Sequence, residues 1–126
     1  MILIFGGAYQ GKLDYALKNF NLTKNDVYNC SDDDINTPQG KKIIYEIDKW
    51  ILALVKNNLD AGTNLKKFMD ENENPVVICN DISSGVVPVD PVLRKWREAV
   101  GRAMAVISQN STGVIRLYCG IPAKIK

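Results

Sequence analysis

The 126-residue sequence carries 16 Lys and Arg against 14 Asp and Glu, a formal charge of +2, and is 46% hydrophobic, a balance that describes one domain spanning residues 1–126 with enough apolar chain to bury a core. It contains no histidine, which excludes Ser-His-Asp and Cys-His nucleophilic mechanisms, covalent histidine intermediates and most catalytic zinc sites. Any acid or base must be a carboxylate, Lys, Tyr, Cys or bound water.

Residues 1–13 are the most informative stretch. Ile2, Leu3, Ile4 and Phe5 form a continuous apolar run, as in a strand buried on both faces. Gly6-Gly7-Ala8-Tyr9-Gln10-Gly11-Lys12 then has the spacing G-x-x-x-x-G-K, and Leu13, Ala16, Leu17 and Phe20 recur at helical spacing over about residues 11–20. This pattern is a phosphate-binding loop: the glycines let backbone N–H groups point at phosphate oxygens, Lys12 supplies charge to the β- and γ-phosphates, and the helix adds its positive N-terminus. The residue after the lysine is Leu13, however, where a magnesium-binding Ser or Thr hydroxyl is usual. Gly6, Gly7, Ala8, Tyr9, Gln10, Gly11, Lys12 and Leu13 are thus the expected nucleotide-binding residues, with GTP or ATP as ligand and a magnesium site weakened by Leu13.

Val27–Cys30 reads as a second strand, followed by the acidic loop Ser31-Asp32-Asp33-Asp34. Thr37-Pro38-Gln39-Gly40 punctuates the chain as a turn and helix start. From there Ile43, Ile44, Ile47, Ile51, Leu54 and Val55 form one helical stripe with Trp50 on its shoulder. Asp60–Thr63 breaks this helix and opens another through Leu65, Phe68 and Met69. Pro75–Cys79 is a buried strand ending at Asn80-Asp81, Pro88–Pro91 opens a long helix, and Val114–Cys119 is a final strand running into Gly120-Ile121-Pro122.

Strands alternating with helices imply an α/β, P-loop NTPase-like three-layer fold with a small, mainly parallel sheet flanked by helices. Ligands in such sheets bind beyond the carboxyl ends of the strands, which gathers residues 6–12, 31–34, 80–88 and 119–123 at one edge. There Asp81 is the first candidate for magnesium, competing with a turn or capping role, and Asp32–Asp34 the second, competing with a solvated loop. The site is shallow for a domain of this size, so loops or a neighbouring subunit are expected to complete it.

Cys30, Cys79 and Cys119 have no metal spacing and read as small buried residues in a reducing cytoplasm. No apolar stretch reaches the roughly 18 residues that span a bilayer. Residues 1–90 carry nine basic and thirteen acidic side chains and residues 91–126 seven and one. The basic end faces phosphates, an acidic partner or simply solvent, and its few aromatic neighbours argue against nucleic acid.

Three blocks covering about half the chain resemble the cobinamide kinase / cobinamide-phosphate guanylyltransferase family of cobalamin biosynthesis. Gly6–Leu13 is similar to that family's G-G-A-R-S-G-K-S loop. Asn80-Asp81-Ile82-Ser83-Ser84-Gly85-Val86-Val87-Pro88 tracks N-E-V-G-x-G-I-V-P, followed by Arg94, Trp96-Arg97-Glu98 and Gly101-Arg102 against R-x-F-R-D-x-x-G. Cys119-Gly120-Ile121-Pro122 and Lys124-Ile125-Lys126 match an S-G-I-P-x-x-L-K tail. The resemblance implies a cobinamide kinase-like phosphotransferase with Lys12 and Asp81 catalytic, Asn80, Gly85, Val87, Pro88 and Arg97 binding substrate, and assembly into an oligomer; Asp81, or by its loop position Asp32, is expected to serve magnesium. The absent histidine removes the family's guanylylated residue, and Leu13, Tyr9 and Gln10 depart from its loop. A non-catalytic nucleotide- or corrinoid-binding partner protein is the alternative.

Overall fold

The first strand, β1 (Ile2–Gly6), sits in the interior of a six-stranded sheet, paired in parallel with β4 (Val76–Asn80) on one side and β5 (Gly113–Tyr118) on the other. The computed structural model describes residues 1–82 and 87–126. With β2 (Val27–Asn29), β3 (Ile43–Tyr45) and β6 (Ile121–Lys124), the strand order is β2-β3-β4-β1-β5-β6, and every pair is parallel except β5–β6.

The pleat sorts side chains into two cores. Leu3, Ile44, Val77, Cys79 and Val114 face α2 (Ile47–Lys56), α3 (Ala61–Glu71) and α4 (Pro91–Gln109), joining Trp50, Phe68, Val100 and Ile107. Ile4, Ile43, Ile78 and Leu117 point the other way, onto Ala16, Leu17 and Phe20 of α1 (Lys12–Asn19) and its flank. Three helices on one face and one on the other make the expected three-layer α/β fold of P-loop type.

Helix starts follow local chemistry. The Asp90 carboxylate accepts from the Val92 and Leu93 amides at 2.8 and 3.4 Å, and Pro91 opens α4 where a missing N–H costs nothing. Asp60 caps α3 through the Thr63 amide at 2.9 Å.

Four sequence expectations need correction. The helical stripe does not begin after Gly40: Ile43–Tyr45 is β3, and the chain breaks at Glu46, which is left-handed with φ 58° before α2 begins. Trp50 is not on the shoulder of the stripe but fully buried, donating its indole N–H to the Ile35 carbonyl at 3.2 Å. The chain after Gly120 turns back as β6. Cys119 and Gly120 both have positive φ, 51° and 75°, as a two-residue type I′ hairpin requires. Cys119 is consequently exposed at the turn, whereas Cys30 and Cys79 are buried as expected.

Candidate functional site

The glycine loop leaves β1 in the middle of the sheet, and its path is set by close packing. A Cβ on Gly6 would run into the Leu117 carbonyl oxygen of β5, so only glycine fits. The register pairs Gly6 with Asn80, and the Asp81 amide donates to the Gly6 carbonyl at 2.8 Å, which carries the ladder one step past the strands. Gly11, at φ 80°, turns the chain into α1 with Lys12 as its first residue. The amides at this helix start have no intrahelical acceptor and face an anion favourably.

Gln10 ties the loop to the far side of the sheet. Its side-chain oxygen accepts from the Cys119 amide, and its carbonyl accepts from the Gly120 amide at 3.2 Å. Tyr9, with φ 60°, projects fully into solvent at the crest.

A cleft of about 590 Å³ opens beside the loop, lined by residues 8–14 together with Tyr45, Glu46, Lys49 and Asn80. Lys12 lies in its wall, almost fully buried, with its ammonium donating to the Gly7 carbonyl at 2.5 Å. Burial pulls the Lys12 pKa down, and the negative fields of Asp48 and then Glu46 oppose that. Asp48 is itself buried. It accepts from the Asn80 amide at 3.0 Å and from the Asn80 side chain at 3.2 Å, while desolvation pushes its pKa up against these bonds. Glu46 accepts from Asn80 Nδ2 at 3.0 Å and pairs with Lys49 at 3.1 Å. Asn80 is thereby a strut whose amide hydrogens serve two carboxylates. Burial also lifts the Cys79 thiol well above its ordinary range and Cys30 to about 12, so both are inert thiols.

The structure brings Gly6–Leu13, Asn80 and the backbone of Asp81 to one edge. Leu13 turns its side chain into the core beneath α1. Asp32 is not in this group: it is exposed beyond β2, an edge strand three places from β1, or about 14 Å by strand spacing. Its carbonyl takes a bond from Lys56 at 3.2 Å. Val87 and Arg97 line a separate shallow depression with Arg94 and Glu98, Pro88 is half-buried nearby, and Gly85 lies outside the described residues.

Sequence reasoning missed Glu46, Asp48 and Tyr45 because it placed them inside a helix. The β-branched pair Ile43-Ile44 is the one strand-like feature there, and it falls in phase with the helical stripe that masks it. Among the described residues no group of three or more Cys, Asp or Glu converges as a metal site, and no helix is long and apolar enough to cross a membrane.

A mostly parallel sheet between helical layers, with a glycine loop entering a helix at the carboxyl edge, defines a P-loop-like α/β protein. Residues 41–125, about two thirds of the chain, match the family described as cobinamide kinase / cobinamide phosphate guanyltransferase, and the chain belongs to that family, whose members act in cobalamin biosynthesis. The match begins after the loop, so the two observations are independent. No curated protein matches the chain.

Proposed function

We propose that the protein binds a purine triphosphate, GTP or ATP, on Gly6–Leu13 and passes its γ-phosphoryl group to a hydroxyl of a cobinamide-like acceptor. The supporting observation is the placement of Lys12 at the first position of α1, in the wall of a cleft large enough for a nucleotide polyphosphate. Lys12 neutralises the β- and γ-oxygens by giving up its bond to Gly7, and the amides at the start of α1 hold the same anion. The bond from the γ-phosphorus to the bridging oxygen breaks as the bond from the acceptor oxygen forms. The acceptor proton passes to bound water at this edge, and Asp81 is the candidate for holding the magnesium ion. Phosphoryl transfer asks mainly for positioning and charge neutralisation.

Magnesium is held in such sites by one or two carboxylates, phosphate oxygens and water. Asp81 and Glu46 fit that donor set and Leu13 contributes nothing to it. When bound, the ion would spread the negative charge of the phosphates. Asn80, Val87, Pro88, Arg97 and Gly85 remain the acceptor-side candidates by family resemblance. With no histidine in the sequence, guanylyl transfer through a histidine intermediate is outside this proposal.

Calorimetric titration of GTP and ATP against the protein and its Lys12→Ala variant tests the loop reading. A charged hydrogen-bonding partner contributes about 1.5–3 kcal/mol, so affinity should fall roughly 10- to 150-fold; equal affinities would remove the loop from the proposal. Leu13 favours a second reading, a nucleotide-binding partner protein without turnover. Incubation with nucleotide, magnesium and cobinamide separates the two, because tight binding without a phosphorylated product selects the second.

A further inference from the structure

The helical face carries a second concavity that shares no lining residue with the loop cleft. It is a groove of about 500 Å³ between α3 and α4, floored by the end of α2. Its origin is in the sequence: Ala61 and Gly62 on α3 look across at Ala99 and Ala103 on α4, and side chains this small leave the helices' apolar flanks unfilled. Val55, Leu65 and Met69 form the floor. Leu59 and Val106 stand on the rim, 41% and 37% exposed. Interiors are otherwise packed to near crystal density, and a concave apolar space of this size matches the volume range of small-molecule sites.

The charges around it have one sign left to offer. Lys66 on α3 and Arg102 on α4 flank the groove from opposite walls, and among the described residues neither forms a side-chain hydrogen bond or ion pair. The single acid, Asp60, is already committed: its carboxylate accepts from the Thr63 amide and hydroxyl at the start of α3. An occupant with an apolar body satisfies the floor, and one anionic head satisfies the two cations.

We propose that the α3–α4 groove is a binding site for an amphiphilic organic acid, its tail on Val55, Leu65 and Met69 and its anionic head between Lys66 and Arg102. This site is independent of the phosphate loop and of the reaction proposed for it.

Decanoate below its micellar concentration is a suitable probe, read by amide chemical shifts in ¹H–¹⁵N spectra of the full chain. The expected result is saturable shifts confined to residues around Gly62, Leu65, Ala99 and Ala103, with affinity lowered roughly tenfold by Lys66→Glu combined with Arg102→Glu. Ala99→Leu, which fills the groove without touching a charge, should also abolish the shifts, while the dispersion of each variant's own ¹H–¹⁵N spectrum reports that it is folded. Decanol binding as tightly as decanoate, or double-variant affinity equal to that of the parent, would overturn the role of the cations. Shifts scattered over the surface, or no saturation, would overturn the site itself. A dimer that Leu59→Glu dissociates and decanoate leaves intact would assign the groove to a second copy and likewise overturn the proposal.

Discussion

Lys12, Asp48 and Ser111 are the buried polar residues among those described; Lys12 lies in the wall of the loop cleft, and the negative field of Asp48 reaches it there. A buried carboxylate is tolerated only with donors around it, and Asp48 has the Asn80 amide and side chain. Asp48→Asn keeps one acceptor but turns the other oxygen into an NH₂ facing the Asn80 NH₂, a mismatch that should cost about 1–3 kcal/mol. Its pH dependence has a definite sign. The folded-state pKa of Asp48 is raised by desolvation, so between the unfolded carboxylate value and that raised value the unfolded state releases the proton first. The parent therefore loses stability as pH rises through this window, and the variant, with nothing to titrate at position 48, does not. The stability gap between parent and variant should narrow as urea denaturation is repeated from pH 4 upward. A gap that widens with pH would mean that ionised Asp48 is stabilised in the fold, contrary to the desolvation argument.

At the scale of elements, the parts of the sequence that announced themselves did so by chemistry that leaves little choice. β1 and β4 are unbroken apolar runs, and α4 has Asp90 and Pro91 at its start. β3 was illegible for a specific reason: Ile43 and Ile44 are in phase with Ile47 and Ile51, so a helical period runs unbroken through a strand. The break is the left-handed backbone of Glu46, a conformation that glutamate seldom adopts and no residue pattern advertises. The candidate site suffered accordingly. Its loop was readable from glycine spacing, while the acids behind it came with the missed strand. β6 was hidden too, since Pro122 suits only an edge position and four exposed residues carry no alternation. The β5–β6 hairpin has a consequence for the loop. Gln10 accepts two amides from its turn, so Gln10→Ala should free the Cys119 amide, cost about 0.5–1.5 kcal/mol and accelerate hydrogen exchange at Cys119 while leaving β4 protected. Unaltered exchange at Cys119 would show that the latch does not hold the turn.

For the whole molecule, the decisive fact is that the loop grows from an interior strand. β1 pairs with β4 and β5, its exit is bonded to Asp81, and Gln10 reaches the hairpin at the other side. The loop conformation therefore exists only when most of the sheet does, and a ligand that needs that conformation binds the folded chain and not the unfolded one. Binding then adds to global stability by mass action, about 2.7 kcal/mol at one hundred times the dissociation constant. For a domain of this size that corresponds to a rise in Tm of roughly 8–15 °C. A nucleotide triphosphate at that excess should raise Tm in a single cooperative transition, and Lys12→Ala should abolish most of the rise. Asp81→Asn should retain the rise measured in chelator and lose the additional increment produced by magnesium, because the proposed metal contact is removed and the anion site is not. Two transitions, only one of them ligand-sensitive, would show that the loop opens apart from the sheet. An equal rise in parent and Lys12→Ala would place the nucleotide elsewhere on the molecule.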